Sequence, residues 1–200
     1  MSSASCARAT TSAMTDAEIE AVVALHYERG SRLWDILLTH SRSVAGLAVA
    51  IAEGRPELGA DVRFVREAAM LHDIGIVRTD APGIDCHGSL PYICHGVEGR
   101  RMLDAAGLPL HALVCERHTG SGLTRAYVEE RGLPLPPRDM VPLSVEEKIV
   151  CYADKFYSKT RHLTHMKTRQ EALASVAKYG EESARRFLEM DAALRIPLIK

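Results

Sequence analysis

The chain has 200 residues, 46% hydrophobic and 26% charged, with a formal net charge of -1. That length suits one domain with a substantial core and is short for two. The near-neutral charge excludes a general electrostatic draw toward nucleic-acid polymers or anionic membranes, and no apolar run in the sequence approaches the roughly 20 residues of a membrane span.

Five cysteines, Cys6, Cys86, Cys94, Cys115 and Cys151, form no C-x-x-C pair. An odd count at wide spacing reads as reduced thiols, which suits a cytoplasmic protein. Residues 1–14 are rich in Ser, Thr and Ala with one Arg, and they lack the Arg-rich amphipathic pattern of a transit peptide. They read as a disordered tail ahead of a single domain over 15–200, with its core at 31–158 and C-terminal helices over 168–200.

Thr15-Asp16-Ala17-Glu18 is a capping box that opens a helix expected to run to about Arg29. Ser31 can cap a second helix, which carries Trp34, Leu37, Leu38, Val44, Leu47, Ala48 and Ile51 at three- and four-residue steps. His40 falls on the same apolar stripe. Gly54-Arg55-Pro56 ends that helix. Asp61 caps a third, which delivers His72-Asp73-Ile74-Gly75 and which Gly75 is expected to close. From Arg78 to Pro91 the chain reads as a loop punctuated by Pro82, Gly83 and Gly88, and no strand pattern is seen. Cys94-His95-Gly96 leads into a helix ending at Ala106-Gly107, and a short helix after Leu108-Pro109 finishes at Glu116-Arg117-His118-Thr119-Gly120. A helix around Thr124 to Arg131 precedes Gly132-Leu133-Pro134-Leu135-Pro136-Pro137, which cannot be helical. Ser144-Val145-Glu146-Glu147 is a second capping box, opening an apolar helix that contains Asp154. Two further helices fit 168–179 and 181–194. The expected fold class is all-α.

Six polar residues stand on or at the ends of these apolar helices: His40, His72, Asp73, His95, His118 and Asp154. Burying imidazoles and carboxylates is costly unless they are paired, and a divalent metal is a suitable partner. A mixed nitrogen and oxygen set suits iron, manganese, cobalt or nickel, and zinc also fits. If one carboxylate bridged, the six could hold two ions and leave positions open for water and substrate. Any one of these residues alone is more often an ordinary core or surface group. A structural zinc site built from Cys86, His87, Cys94, His95, Cys115 and His118 is a competing reading, although it lacks the paired short spacings usual for one.

In its order, histidine, then His-Asp, then two histidines, then a late Asp, this set resembles the HD-domain metal-dependent phosphohydrolases. His72-Asp73-Ile74-Gly75 is the HDIG form of their signature, and Glu116-Arg117-His118-Thr119-Gly120 and the segment from Glu146 to Lys155 resemble family text. The chain is closest in look to small stand-alone HDIG proteins and to a di-iron branch that hydrolyses dinucleoside polyphosphates. The resemblance implies a bundle of about seven to nine helices. It implies one metal on His40, His72, Asp73 and Asp154, with Asp73 bridging to a second on His95 and His118. It makes Asp73 and His72 the catalytic pair and a phosphate-containing small molecule, such as a nucleotide, the substrate. Arg100, Arg117, Lys155 and Lys159 are candidate phosphate clamps. Two departures, Ile76 in place of the lysine that many relatives carry and the lack of a Gly-Tyr-Pro segment, count against cyclic di-nucleotide hydrolysis. The ligand order is shared with mixed-valent di-iron oxygenases, and a non-catalytic nucleotide- or metal-binding module or a homodimer is compatible with it.

His26, His87, His111, His162 and His165 match no position of the family pattern and read as surface or core residues.

Overall fold

The computed structural model describes residues 13–160 and 162–199. Most of the tail expected over 1–14, with Cys6, lies outside the described residues, as does Arg161. Among the described residues the chain forms nine α-helices and one small sheet. They are α1 (Asp16–Ala24), α2 (Arg32–Gly54), α3 (Val62–Leu71), α4 (His95–Ala105), α5 (Pro109–Arg117), α6 (Arg125–Glu130), α7 (Val145–Asp154), α8 (Arg169–Ala177) and α9 (Glu181–Leu194).

Thr15 and Glu18 close the expected capping box, but α1 stops at Ala24, short of the expected Arg29. Tyr27 is the reason. Its ring is buried, its hydroxyl donates to the Ile74 carbonyl at 2.7 Å, and it accepts from the Val77 amide at 3.2 Å. Continuing the helix would carry that hydroxyl away from both partners. Tyr27→Phe is therefore expected to lower unfolding stability by about 1–3 kcal/mol in a denaturant titration, because it leaves a buried carbonyl and amide unpaired. An unchanged midpoint would show that water satisfies them.

Ser31 caps α2 through the Trp34 amide, and the stripe Leu37, Val44, Leu47, Ala48 and Ile51 is buried together with His40. Contrary to the expectation that no apolar run approaches a membrane span, α2, at 23 residues, is long and apolar enough to cross a membrane by length and composition. However, 61% of its most apolar window is buried inside the protein, chiefly against α3 and α7. Its apolarity serves the core, where each fully buried Leu or Ile contributes about 1.5–3 kcal/mol.

Asp61 Oδ1 accepts from the amides of Arg63 and Phe64 at 3.0 and 3.2 Å and so starts α3. At the other end Gly75 does not act as a left-handed cap; it lies in a 3-10 turn, Ile74–Arg78, without a positive φ. A Cβ at Gly75 would collide with the His95 carbonyl and the Gly99 backbone, so this glycine lets the turn press directly onto α4.

The stretch expected to be a plain loop holds three short strands, β1 (Thr79–Ala81), β2 (Cys86–His87) and β3 (Leu90–Pro91), in the order β2-β1-β3. Strand β2 pairs antiparallel with β1 (Ala81 opposite Cys86), and β3 pairs parallel with it (Thr79 opposite Leu90). Strands of two or three residues are too short to show an alternating pattern, so only the pairing reveals them.

Pro109 starts α5 where a missing amide costs nothing. Ser144 caps α7, but the expected box is only half formed: the Glu147 carboxylate accepts from the Leu143 amide and pairs with Arg117 instead. The α9 boundaries are as expected. This helix is tied to α7 by the Tyr152 hydroxyl on Asp191 at 2.8 Å and by the contact of Tyr152 and Phe156 with Phe187.

Candidate metal centre

Five segments converge on one buried point: the middle of α2 (His40), the end of α3 (His72, Asp73), the start of α4 (His95), the end of α5 (His118) and the last residue of α7 (Asp154). All six side chains are buried. They form two groups that share Asp73, His40-His72-Asp73-Asp154 and Asp73-His95-His118, and in each the ligand atoms lie within 4.8 Å of one another.

The two oxygens of Asp73 divide between the groups. Oδ2 is 3.2 Å from His40 Nε2 and 3.0 Å from His72 Nε2, whereas Oδ1 is 3.3 Å from His118 Nε2 and 3.7 Å from His95 Nε2. Asp154 Oδ1 completes the first group, 3.1 Å from His40 Nε2 and 3.4 Å from His72 Nε2. Its other oxygen is held by Lys155, whose ammonium donates to Oδ2 at 2.7 Å and to the His118 carbonyl at 2.8 Å. Lys155 thus aims Asp154 and links it to α5.

Three of the histidines are oriented by one device. The Nδ1–H of each donates to the carbonyl three residues earlier: His72 to Ala69 at 2.6 Å, His95 to Tyr92 at 2.7 Å, and His118 to Cys115 at 2.7 Å. With Nδ1–H committed to a carbonyl, each Nε2 faces the cluster, with a lone pair in His95 and His118 and, in metal-free His72, a proton that a metal would displace. His95 Nε2 and His118 Nε2 face each other at 3.1 Å with no proton to share, an arrangement that calls for a cation. Asp73 Oδ1 and the facing Nε2 atoms of His95 and His118 are buried acceptors with no proton donor among them, while Asp73 Oδ2 faces the Lys159 ammonium at 2.6 Å. Orphaned buried acceptors converging in this way fit a metal.

Electrostatics agree. Burial, helped by the neighbouring imidazole of His118, pulls His95 down to about 3, so it stays neutral and free to ligate. Burial also opposes charge on His72, but the carboxylates of Asp73 and Asp154 outweigh it and raise it to about 9. Burial pushes the Asp73 and Asp154 carboxyls upward, yet the cations around them prevail and hold both well below the usual carboxylate range. The charge on His72 stabilises the metal-free fold fully below the unfolded value of 6.5 and ceases to do so as pH rises through about 9. Near pH 7, metal uptake should therefore release the His72 proton, and affinity should fall as pH is lowered. Calorimetric heats that scale with buffer ionisation enthalpy would show this; heats independent of buffer would contradict it.

The four basic residues expected near phosphate fare differently. Arg100 is engaged by Glu116 and Asp104, and Arg117 lies on both oxygens of Glu147 at 2.9 and 3.0 Å. The structure thus turns both guanidinium groups to structural ion pairs, because each has a carboxylate at hand on its own or a neighbouring helix. Lys155 is spent on Asp154. Only Lys159 reaches the cluster from solvent's side, with Nζ 2.6 Å from Asp73 Oδ2. It also lines a cavity of about 360 Å³ together with Tyr92, Tyr157, Ser158, Thr160 and Lys167. A larger cavity of about 490 Å³, between α4 and residues 133–136, contains none of the six cluster residues.

The sequence reading missed Tyr92, which stacks on His95 with ring centroids 4.7 Å apart, and Cys115, whose thiol donates to the His72 carbonyl at 2.8 Å. Tyr92 carries no spacing signal, and the spacing of Cys115 to His118 suggests a zinc ligand rather than a support for the His72 backbone; both roles arise only once helices meet. The cysteine-zinc reading finds no support: Cys86, Cys94, Cys115 and Cys151 point their sulfurs at backbone carbonyls, and among the described residues no metal-competent group includes a cysteine. Of the other histidines, His111 is a buried core group 3.3 Å from Glu67, and His87 is exposed beside Asp85.

A helical assembly closed around a shared-aspartate His/Asp cluster able to bind metal ions defines a recognisable class. The pattern of the HD domain family matches residues 37–158, and the chain belongs to that family. It is 41% identical to an uncharacterised protein of Methanocaldococcus jannaschii over 58% of this chain and 61% of that protein. It is 34% identical to a tRNA (cytidine(56)-2'-O)-methyltransferase of Thermoplasma volcanium over 75% of this chain and 39% of the relative. A similarly named protein of Picrophilus torridus is 34% identical over 64% of this chain and 33% of its own length. The chain therefore spans between one third and about three fifths of these curated relatives. No solved structure matches.

Proposed function

We propose that the chain is a metal-dependent phosphohydrolase that cleaves a nucleotide or another phosphate ester or anhydride. The observation that carries this reading is the division of the Asp73 oxygens between two ligand groups beside a lysine-lined cavity. Of the two proposed ions, one would be held by His40, His72, Asp73 and Asp154, and the other by Asp73, His95 and His118. When bound, such ions make water more acidic and neutralise charge on phosphate oxygens.

The protein's own groups supply the rest. Asp73, buried and shared, sets the spacing of the two groups and is placed to orient a nucleophilic water. Lys155 keeps Asp154 Oδ1 directed inward, and the Tyr92 ring covers the outer face of His95. Two carboxylates face two ammonium groups, Lys155 and Lys159, and the protonated His72, so the cluster carries no excess negative charge before any metal is added. Divalent ions make it strongly cationic, which favours an anionic substrate over a neutral one. Buried free thiols agree with a reducing, cytoplasmic setting. This chain matches 39% and 33% of the two relatives named as methyltransferases, too little of either to carry that activity over to it.

Phosphate release should be measured over a nucleotide panel with Fe, Mn, Co or Ni, against an Asp73→Ala control. Turnover above the control with at least one metal and substrate pair is expected. If no pair exceeds the control, the reading fails.

A further inference from the structure

The Lys159 ammonium lies against both carboxylates of the four-residue group. Its Nζ is 2.6 Å from Asp73 Oδ2 and 3.8 Å from Asp154 Oδ1, the same two oxygens that join His40 Nε2 and His72 Nε2 in that group. An ammonium and a divalent ion repel, and both cannot draw on these oxygens from the same position. The side chain also has somewhere to go. Lys159 follows the end of α7 and lines the cavity of about 360 Å³ beside Tyr92 and Tyr157. Lys167, the other lysine of that lining, is held by the carbonyls of Lys155 and Tyr157 at 3.4 and 3.3 Å. Among the described residues no backbone carbonyl anchors the Lys159 ammonium, and its four-carbon stem can swing the head group between partners.

We propose that Lys159 is a displaceable internal cation: its ammonium neutralises Asp73 and Asp154 until a divalent metal takes the four-residue group, then turns into the adjoining cavity and binds the substrate's phosphate. The proposal rests on the metal-centre reading above and adds an order to it, metal first and anion second. In the metal-free protein the ammonium is spent on Asp73, so the cavity has little hold on an anion. After loading, the same charge faces the cavity, where the Ser158 and Thr160 hydroxyls, bonded to each other at 2.9 Å, leave one hydroxyl proton to donate.

Metal-free wild type and Lys159→Gln, both checked for folding by circular dichroism, should be titrated with Mn(II). The variant is expected to bind the first ion about 10-fold tighter, having no cation to displace. Titrating the Mn-loaded proteins with inorganic phosphate should then show about 10-fold weaker binding to the variant. Equal or weaker Mn affinity in the variant overturns displacement, and unchanged phosphate affinity overturns the second role. Should the variant fail to fold, wild type decides the question: acylation of the Lys159 amine, followed by mass spectrometry, should rise on Mn loading, and unchanged labelling overturns the proposal. These readouts require no turnover, so a failed substrate panel and a failed displacement are separate results.

Discussion

Asp73→Ala is expected to strip the protein of both metal ions and of its hydrolytic activity, whereas His95→Ala should lose only one ion. The difference follows from the division of the Asp73 oxygens, with Oδ2 on the His40 and His72 side and Oδ1 on the His95 and His118 side. Removing Asp73 takes a ligand from each group; removing His95 leaves the four-residue group complete. Metal content per chain, measured after purification without chelator, checks the contrast. Turnover in the Asp73 variant should fall by at least about 1,000-fold, equivalent to about 4 kcal/mol of transition-state stabilisation. Loss of activity with two ions still bound would show that Asp73 does not bridge.

Gly75→Ala is expected to be among the most damaging substitutions outside the ligands, although it adds a single methyl group. That methyl would meet the His95 carbonyl and the Gly99 amide and Cα, all backbone atoms that cannot swing aside. To relieve the overlap, the turn after Asp73 must move away from α4, and α4 is the helix that begins with His95. Overpacking of this kind costs about 1–3 kcal/mol, occasionally more, and strain against backbone belongs at the upper end. A lower unfolding midpoint together with weaker binding of the second metal ion would bear this out. Normal stability with normal metal content would mean that the contact between this turn and α4 is softer than it looks.

Much of the architecture is legible in the chain itself. The α2 stripe, with His40 among its apolar neighbours, is visible because a buried helical face repeats every three to four residues. The caps at Thr15, Ser31, Asp61 and Ser144 are legible because capping is local: a side chain answers an amide two or three residues on. Gly75 illustrates the limit. A glycine at the end of a helix suggests a left-handed cap, but its actual role is set by α4, 20 residues further along, pressing against it. Arg100 and Arg117 show the same limit. A guanidinium beside a ligand in sequence looks ready for phosphate, and only the neighbouring helices reveal that Glu116 and Glu147 already hold them.

The sequence by itself determined the all-α class and the six His and Asp residues that stand out of place on apolar helices, because helical period, caps and misplaced polar groups are all recorded locally. Tertiary structure alone decided how Asp73 divides its oxygens, which carbonyls fix the imidazole protons, and that Lys159 rather than Arg100 or Arg117 reaches the cluster. Those features depend on distances of a few ångströms between segments far apart in the chain, and spacing along the sequence does not encode them.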